Sequence, residues 1–281
     1  MIIAFFVMIM LIVTPIYAPW FNHRLYLGQW SPNIWHNPTI FIVKPFAILT
    51  VFIYAKWLGS QSLERKSELV FLSIMIFMSL LAKPSFLFSF IPSLFFYYLF
   101  RITKYPIKHY AQAFLAFLPS LFLIVWQYYA TYQSNQSGSD GLRDTIIFTW
   151  WGVIKLFTPN VFISFLLALA FPLFVLFTDF KKAFKDHYLL LAWLNTLVAY
   201  SEASFLAEKV KFGMGNFTFG YSLSLAILFV FSLIHFQNYC VISKRIIQAK
   251  IVFMLGWILL GAHFISGAYY YYQYLVIHSF A

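Results

Sequence analysis

The chain is a series of long apolar runs separated by short polar connections. A helix needs about 20 apolar residues to cross the hydrocarbon core of a bilayer, and most runs approach this length. They predict about nine membrane helices, over 2–20, 39–58, 69–83, 86–101, 111–131, 160–178, 187–205, 218–238 and 251–273. The pattern therefore predicts an all-α, polytopic integral membrane bundle that forms a single domain over residues 1–281.

Composition excludes a soluble domain and disfavours a β-barrel. Hydrophobic residues make up 62% and charged residues 10% of the 281 positions, whereas soluble domains carry about 25% charged residues. A membrane β-barrel needs short strands of alternating polarity, but residues 221–236 are almost continuously apolar. No basic residue precedes the run 2–20, as one would in a secretory signal, so this run is predicted to be the first membrane helix.

The formal net charge of +11 indicates topology rather than a nucleic-acid partner, because the basic residues lie in short clusters between apolar runs. Cytoplasmic connections of membrane proteins are enriched in lysine and arginine. We therefore expect the N-terminus in the cytoplasm and the C-terminus outside. This places the denser basic set on the cytoplasmic side: Lys56, Arg65, Lys66, Arg101, Lys104, Lys108, Lys181, Lys182, Lys185, Lys244, Arg245 and Lys250.

Lys83 interrupts an apolar stretch and is followed by Pro84. The run 69–83 is only about 22 Å long as a helix, less than the hydrocarbon thickness of about 30 Å. A lysine in a turn at that depth needs an anionic partner and suggests a functional site. The alternative is a simple helical hairpin whose lysine reaches outward to the lipid headgroups.

Lys44 and Pro45 repeat this arrangement near the start of the second predicted helix, on the same outer side. Together with Lys83, Lys44 is a candidate to bind a phosphate or pyrophosphate by charge. An ordinary interfacial lysine at a helix start is the alternative interpretation.

The first outer connection, 21–38, contains Arg24 and the group Trp35, His36 and Asn37. Arg24 is a further candidate for phosphate. An indole ring suits the apolar face of a sugar, and imidazole and amide groups suit hydroxyl or phosphate oxygens. An interfacial aromatic belt is the alternative, although it does not explain His36 and Asn37.

Residues 200–221 supply the candidate base and a further binding residue. Glu202 falls late in an apolar helix, and Glu208 and Asn216 follow. A carboxylate whose pKa is raised by burial can act as a general base, so both glutamates are catalytic candidates. Pairing with a nearby lysine is the structural alternative.

Familiar chemical motifs are missing from the sequence. It contains no phosphate-binding loop, no nucleophile elbow and no histidine pair at metal-ligand spacing, so no metal site is predicted and no cofactor is identified. The single cysteine, Cys240, excludes an internal disulfide.

Three segments, 26–39, 80–86 and 213–221, resemble bacterial polytopic proteins grouped with the GT-C class of glycosyltransferases and with surface-polysaccharide biosynthesis. The resemblance implies transfer of a sugar from a polyprenyl-phosphate donor at the outer face of the bacterial cytoplasmic membrane. GT-C enzymes carry an acidic residue in their first outer loop, whereas residues 21–38 contain none. Asp140, Asp144, Glu202 or Glu208 would have to replace it, unless that loop lies upstream of Met1.

Two other functions stay open. A transporter or flippase for a lipid-linked or anionic solute would share the cationic residues, but transporters often contain internal repeats, and none is evident here. A non-catalytic membrane subunit or a fragment of a larger protein would tolerate substitution of the polar outer residues. The sequence does not indicate an oligomeric state.

Reporter fusions test the orientation. Fusions after residues 62, 106, 183 and 247 are expected to report the cytoplasm, because the basic clusters lie there. Fusions after residues 30, 138 and 210 are expected to report the exterior. Alkaline phosphatase and fluorescent-protein activities measure the two outcomes. A cytoplasmic signal after residue 138 would contradict the orientation.

Overall fold

The computed structural model of the protein describes residues 12–25, 38–60, 66–101, 104–132, 145–242 and 247–277. The structure is mostly helical. Its α-helices are α1 Pro38–Ser60, α2 Lys66–Ala82, α3 Ser85–Leu99, α4 Ile107–Tyr132, α5 Val161–Thr178, α6 Phe180–Ala183, α7 His187–Phe205, α8 Thr218–Ile242 and α9 Ile247–Tyr272. Two short strands, β1 Ile146–Phe148 and β2 Leu206–Glu208, pair antiparallel.

Five helical segments in the described part are long and apolar enough to cross a membrane: Thr39–Ser60, Ile107–Gln127, Val161–Thr178, Phe212–Cys240 and Lys250–Val276. This agrees with an integral membrane protein. The prediction of about nine spans is not confirmed, since α2 and α3 have only 17 and 15 residues and α7 is not among the five.

Local chemistry sets several helix ends. Pro84 separates α2 from α3, because proline lacks an amide hydrogen and disfavours helical backbone before it. The Asn160 side chain caps α5 by accepting hydrogen bonds from Phe162 and Ile163 at 3.0 and 3.1 Å. Asp186 caps α7 in the same way. Such caps satisfy amide groups that the first helical turn leaves without partners.

The predicted helix over 2–20 is wrong for residues 13–20, which are not helical; residues 1–11 lie outside the described part. The nonhelical backbone bonds to neighbouring helices instead. His263 Nδ1 lies 2.7 Å from the Thr14 carbonyl oxygen, and the Ile16 amide donates to the Leu167 carbonyl at 3.1 Å. Pro15 explains the departure, because a proline removes a helical hydrogen bond.

α7 and α8 form the centre of the bundle and pack against each other, while α7 also contacts α3 and α1. The α8 span is 72% buried, against 22–44% for the other four spans. A buried polar layer joins these helices: Asn195 donates to the Ser224 hydroxyl at 2.9 Å, which lies 3.5 Å from that of Ser89. Hydrogen bonds of this kind hold helices together where apolar side chains face apolar surroundings.

In the α4–α5 connection, β1 pairs with β2, so that Ile146 lies opposite Glu208 and Phe148 opposite Leu206. A single 3₁₀ turn, Ile154–Leu156, follows. The pairing holds the α7–α8 connection, and thus Glu208, against the end of the bundle.

Successive long helices run in opposite directions, so their termini lie alternately at two ends of the bundle. The Lys83 end contains the start of α1, the α2–α3 turn, β1, β2 and the start of α8. The Arg101 end contains the α1 and α3 C-termini and the α4 and α7 N-termini.

Gly267 in α9 tests the docking of the nonhelical segment. A Cβ atom added there would overlap the Ile12 carbonyl oxygen, whereas a Cβ at Gly261 in the same helix meets no atom within 4 Å. We expect Gly267→Ala to lower the free energy of unfolding by about 1–3 kcal/mol, as overpacking does. Gly261→Ala is the matched control and should be neutral or stabilising, because alanine favours helix. Thermal unfolding in detergent measures both, and equal stability of the two variants would contradict the contact.

Candidate functional site

Lys83 joins three separate elements at the Lys83 end. Its Nζ donates to the Thr39 hydroxyl at 3.4 Å, at the start of α1. The same ammonium lies 3.8 Å from the centroid of the Phe219 ring, at the start of α8, which is within cation–π range. The α2–α3 turn can approach α8 closely because position 220 is glycine: a Cβ there would lie 3.1 Å from the Ser85 carbonyl oxygen. The structure therefore brings segments 80–86 and 213–221 into contact.

No carboxylate neutralises Lys83 within the described part of the chain. Its side chain lies in the α2–α3 turn, outside the five candidate spans, and burial lowers the pKa of its ammonium to about 8. A hydroxyl and an aromatic ring stabilise the cation without cancelling its charge. The site can therefore still attract an anion.

Lys44 is the second cation of this end. It occupies the second turn of α1 and is only 7% exposed. Among the described residues it has no hydrogen-bond or ion-pair partner. Helical side chains lean toward the helix N-terminus, so Lys44 projects toward the Lys83 end. A buried ammonium without a counter-ion is costly, which makes this position unusual for a purely structural residue.

Glu208 is held by Asn216. The Asn216 amide donates to a Glu208 carboxylate oxygen through a short hydrogen bond, and β2 fixes the Glu208 backbone. The Phe219 amide in turn donates to the Asn216 carbonyl at 3.4 Å. One short segment, 216–219, therefore connects the Glu208 carboxylate to the ring beneath Lys83. The predicted pairing of Glu208 with a lysine is not seen among the described residues, because its partner is an amide.

Glu202 lies in the last turn of α7 and is partly buried. Its backbone carbonyl accepts the Leu206 amide at the helix end. Its side-chain carboxylate has no hydrogen-bond or ion-pair partner in the described structure. Of the two glutamates, Glu202 is thus the one with neither carboxylate oxygen bonded in the described structure.

Arg24 is used structurally. Its guanidinium donates a short hydrogen bond to the Leu156 carbonyl and lies 5.9 Å from the Phe157 ring centroid. Nearby, Asn22 donates to the Phe157 carbonyl at 2.8 Å. Both contacts attach segment 12–25 to the 3₁₀ turn, and none joins Arg24 to Lys83.

Trp35, His36 and Asn37 lie outside the described residues, as do Asp140 and Asp144. From the shared outer position of these segments we predict that Lys83, His36 and at least one of Glu202 and Glu208 lie within about 15 Å of one another, the span of a sugar phosphate with bridging groups. The structure groups Lys83 with Thr39 and Phe219, and links this group to Asn216 and Glu208. In the described part, no ion pair joins either lysine to Glu202 or Glu208.

A second polar cluster, at the Arg101 end, was not predicted from the sequence. The Arg101 guanidinium donates to the Tyr97 hydroxyl at 2.5 Å, and this hydroxyl lies 2.6 Å from His187 Nδ1. Tyr98 connects His109 and Tyr54, at 2.7 and 2.8 Å. The sequence signal was the recurrence of tyrosine over 97–110, together with His109, which also suits an interfacial belt.

No protein-family model, curated protein or solved structure matches the chain. The geometry of its own residues is thus the basis for any functional proposal. Within the described ranges, no group of three or more His, Cys, Asp or Glu side chains is arranged to hold a metal ion.

Chemical labelling tests the environment of Lys83. Because burial lowers the pKa of Lys83 to about 8, its neutral, reactive amine should form with a midpoint near that pH in the folded protein. Acetylation in detergent at a series of pH values, read by mass spectrometry of the Lys83 peptide, measures this midpoint. Unfolded protein is the control and should give the ordinary lysine value of about 10.4. The same midpoint in both states would contradict burial of this ammonium.

Proposed function

We propose that the chain binds a lipid-linked sugar phosphate at the Lys83 end and transfers its sugar, as the GT-C resemblance implies. The observation that carries the proposal is the pair Lys44 and Lys83: two cations at one end of an apolar bundle, neither with a carboxylate partner among the described residues. An anion that arrives with its own apolar chain satisfies both the charge and the surroundings. A polyprenyl phosphate has this chemistry.

The proposed topology is the one predicted from charge. The N-terminus lies in the cytoplasm, about nine helices cross the bacterial cytoplasmic membrane, and the Lys83 end faces outward. The basic residues Arg101, Lys104 and Lys182 lie at the opposite end, which favours a cytoplasmic position for it.

In the proposed reaction, Glu202 takes the proton from an acceptor hydroxyl. The hydroxyl oxygen then forms a bond to the anomeric carbon of the sugar. The bond between that carbon and the phosphate oxygen breaks, and the polyprenyl phosphate leaves with the electron pair. Lys83 and Lys44 stabilise the charge that develops on the departing phosphate. Trp35, His36 and Asn37 orient the sugar, and Glu208 with Asn216 shapes the acceptor side.

One observation favours transport or lipid flipping as a second candidate. Arg101 at the far end bonds to Tyr97 and His187 rather than to a carboxylate, so unneutralised cations lie at both ends in the described structure. The Asn195, Ser224 and Ser89 layer lies between them. An anion moved across the membrane would meet cations on both sides.

Substitutions of the two lysines test the site. We expect Lys83→Ala and Lys44→Met to weaken binding of a photoreactive polyprenyl phosphate about tenfold or more, since a charge-assisted hydrogen bond contributes about 1.5–3 kcal/mol. Lys83→Arg should retain part of the binding, because the charge is kept while its geometry changes. Lys44→Met should also stabilise the protein, because a buried unpaired charge is removed. Crosslinking yield and thermal unfolding measure the two effects.

Lys209→Ala is the matched control, since Lys209 is an exposed lysine at the same end. Full binding by Lys83→Ala would remove Lys83 from the site.

Glu202→Gln separates the two candidate functions: it should abolish sugar transfer while the lipid still binds. If the protein moves the lipid across the bilayer without an acceptor, and Glu202→Gln leaves this movement unchanged, the function is lipid flipping rather than glycosyl transfer. If none of these substitutions changes lipid binding, sugar transfer or lipid movement, a non-catalytic subunit is favoured.

A further inference from the structure

A cavity of about 360 Å³ opens between the last turns of α1 and the first turns of α2, at the Arg101 end. Small-molecule sites commonly have volumes of about 300–1,000 Å³, so a small headgroup fits. The cavity is far from Lys83, since the two lie at opposite ends of α2. It is therefore separate from the Lys83 site, whereas its lining residue Trp57 stacks on His109 of the Arg101-end cluster, with ring centroids 4.0 Å apart.

The walls of the cavity differ in chemistry along the helix axes. Phe52 and Phe71 line its apolar part and are 44% and 47% exposed on the outside of the bundle. Lys56, Ser67 and Glu68 line its polar part, one turn nearer the bundle end. A bound lipid would contact the apolar part with its acyl chains, which run along the helices, and the polar part with its headgroup, which lies at the interface.

Among the described residues, the polar part of the cavity contains one charge of each sign. Lys56 Nζ lies 3.5 Å from Glu68 Oε1, with side chains 61% and 37% exposed. Exposed ion pairs of this kind contribute little to stability, so a ligand that supplies both charges can replace the pair at low cost.

We propose that this cavity binds the headgroup of a zwitterionic aminophospholipid. The phosphate lies against Lys56, and the primary ammonium lies against Glu68. The acyl chains run along Phe52 and Phe71. Each charge in the cavity then faces an opposite charge on the lipid.

The charges also distinguish this lipid from the other common headgroups. An anionic phosphatidylglycerol offers no cation to Glu68 and places a second negative group near it. A choline headgroup offers a cation, but its methylated nitrogen cannot donate a hydrogen bond to a carboxylate. A primary ammonium donates up to three, so the ethanolamine headgroup should bind best.

Lipid titrations of the full-length protein in detergent test the proposal. Native mass spectrometry compares phosphatidylethanolamine, phosphatidylcholine and phosphatidylglycerol with identical acyl chains. We expect phosphatidylethanolamine to bind about fivefold or more tightly than the other two, in keeping with one additional charged hydrogen bond. Equal binding of ethanolamine and choline lipids, or preferred binding of the glycerol lipid, would overturn the proposal.

Two variants assign the preference to this cavity. Glu68→Gln should reduce the preference for ethanolamine over choline to near unity while total phospholipid binding persists. Lys56→Gln should weaken both zwitterionic lipids alike. Both side chains are partly exposed, so the helices should fold, which circular dichroism checks. Lys155→Gln, an exposed lysine at the Lys83 end, is the control. An ethanolamine preference that survives in Glu68→Gln would place the bound lipid elsewhere.

Discussion

A polar group buried in an apolar helical bundle has only other groups of the protein to bond. This constraint explains most of the unusual contacts in the described structure. His263 bonds the Thr14 carbonyl through Nδ1, and its Nε2 lies 3.3 Å from the Phe171 amide, so one side chain joins α9, α5 and the nonhelical segment. Asn195 and Ser224 join α7 to α8 in the same way. Nonhelical backbone at membrane depth is tolerated only with such internal partners.

Two lysines and a glutamate toward the Lys83 end depart from this constraint. Lys44 is buried without a partner, Lys83 has only a hydroxyl and a ring, and the Glu202 carboxylate is unpaired within the described ranges. Each arrangement costs stability, because desolvated charge is unfavourable unless it is neutralised. Residues that reduce stability in this way are typical of binding and catalytic sites, and this is the physical basis for placing the substrate at that end.

At the Arg101 end, the charged and polar side chains form hydrogen bonds with one another. Arg101, Tyr97 and His187 bond one another, and Asp186 both caps α7 and lies 2.8 Å from His235 Nδ1. These groups tie the ends of α3, α7 and α8 together. The cavity beside Lys56 and Glu68 lies on the exposed side of this end, where a bound headgroup would bridge α1 and α2. In the described structure, the Arg101 end thus contains a hydrogen-bonded polar network, whereas the Lys83 end contains charged groups without counter-ions.

The sequence by itself determined the helical class, the membrane environment and most helix positions, because apolar runs and breaks such as Lys83-Pro84 act over a few residues. It also identified Lys44, Lys83, Glu202 and Asn216 as residues out of place in an apolar chain. Only the tertiary structure decided that residues 13–20 leave the helix, that Glu208 bonds Asn216, and that Lys83 lies on Phe219. The reason is that the deciding contacts join residues far apart in the sequence. Thr14 depends on His263, 249 residues away, and no local pattern encodes which distant group will form a hydrogen bond with a buried polar atom.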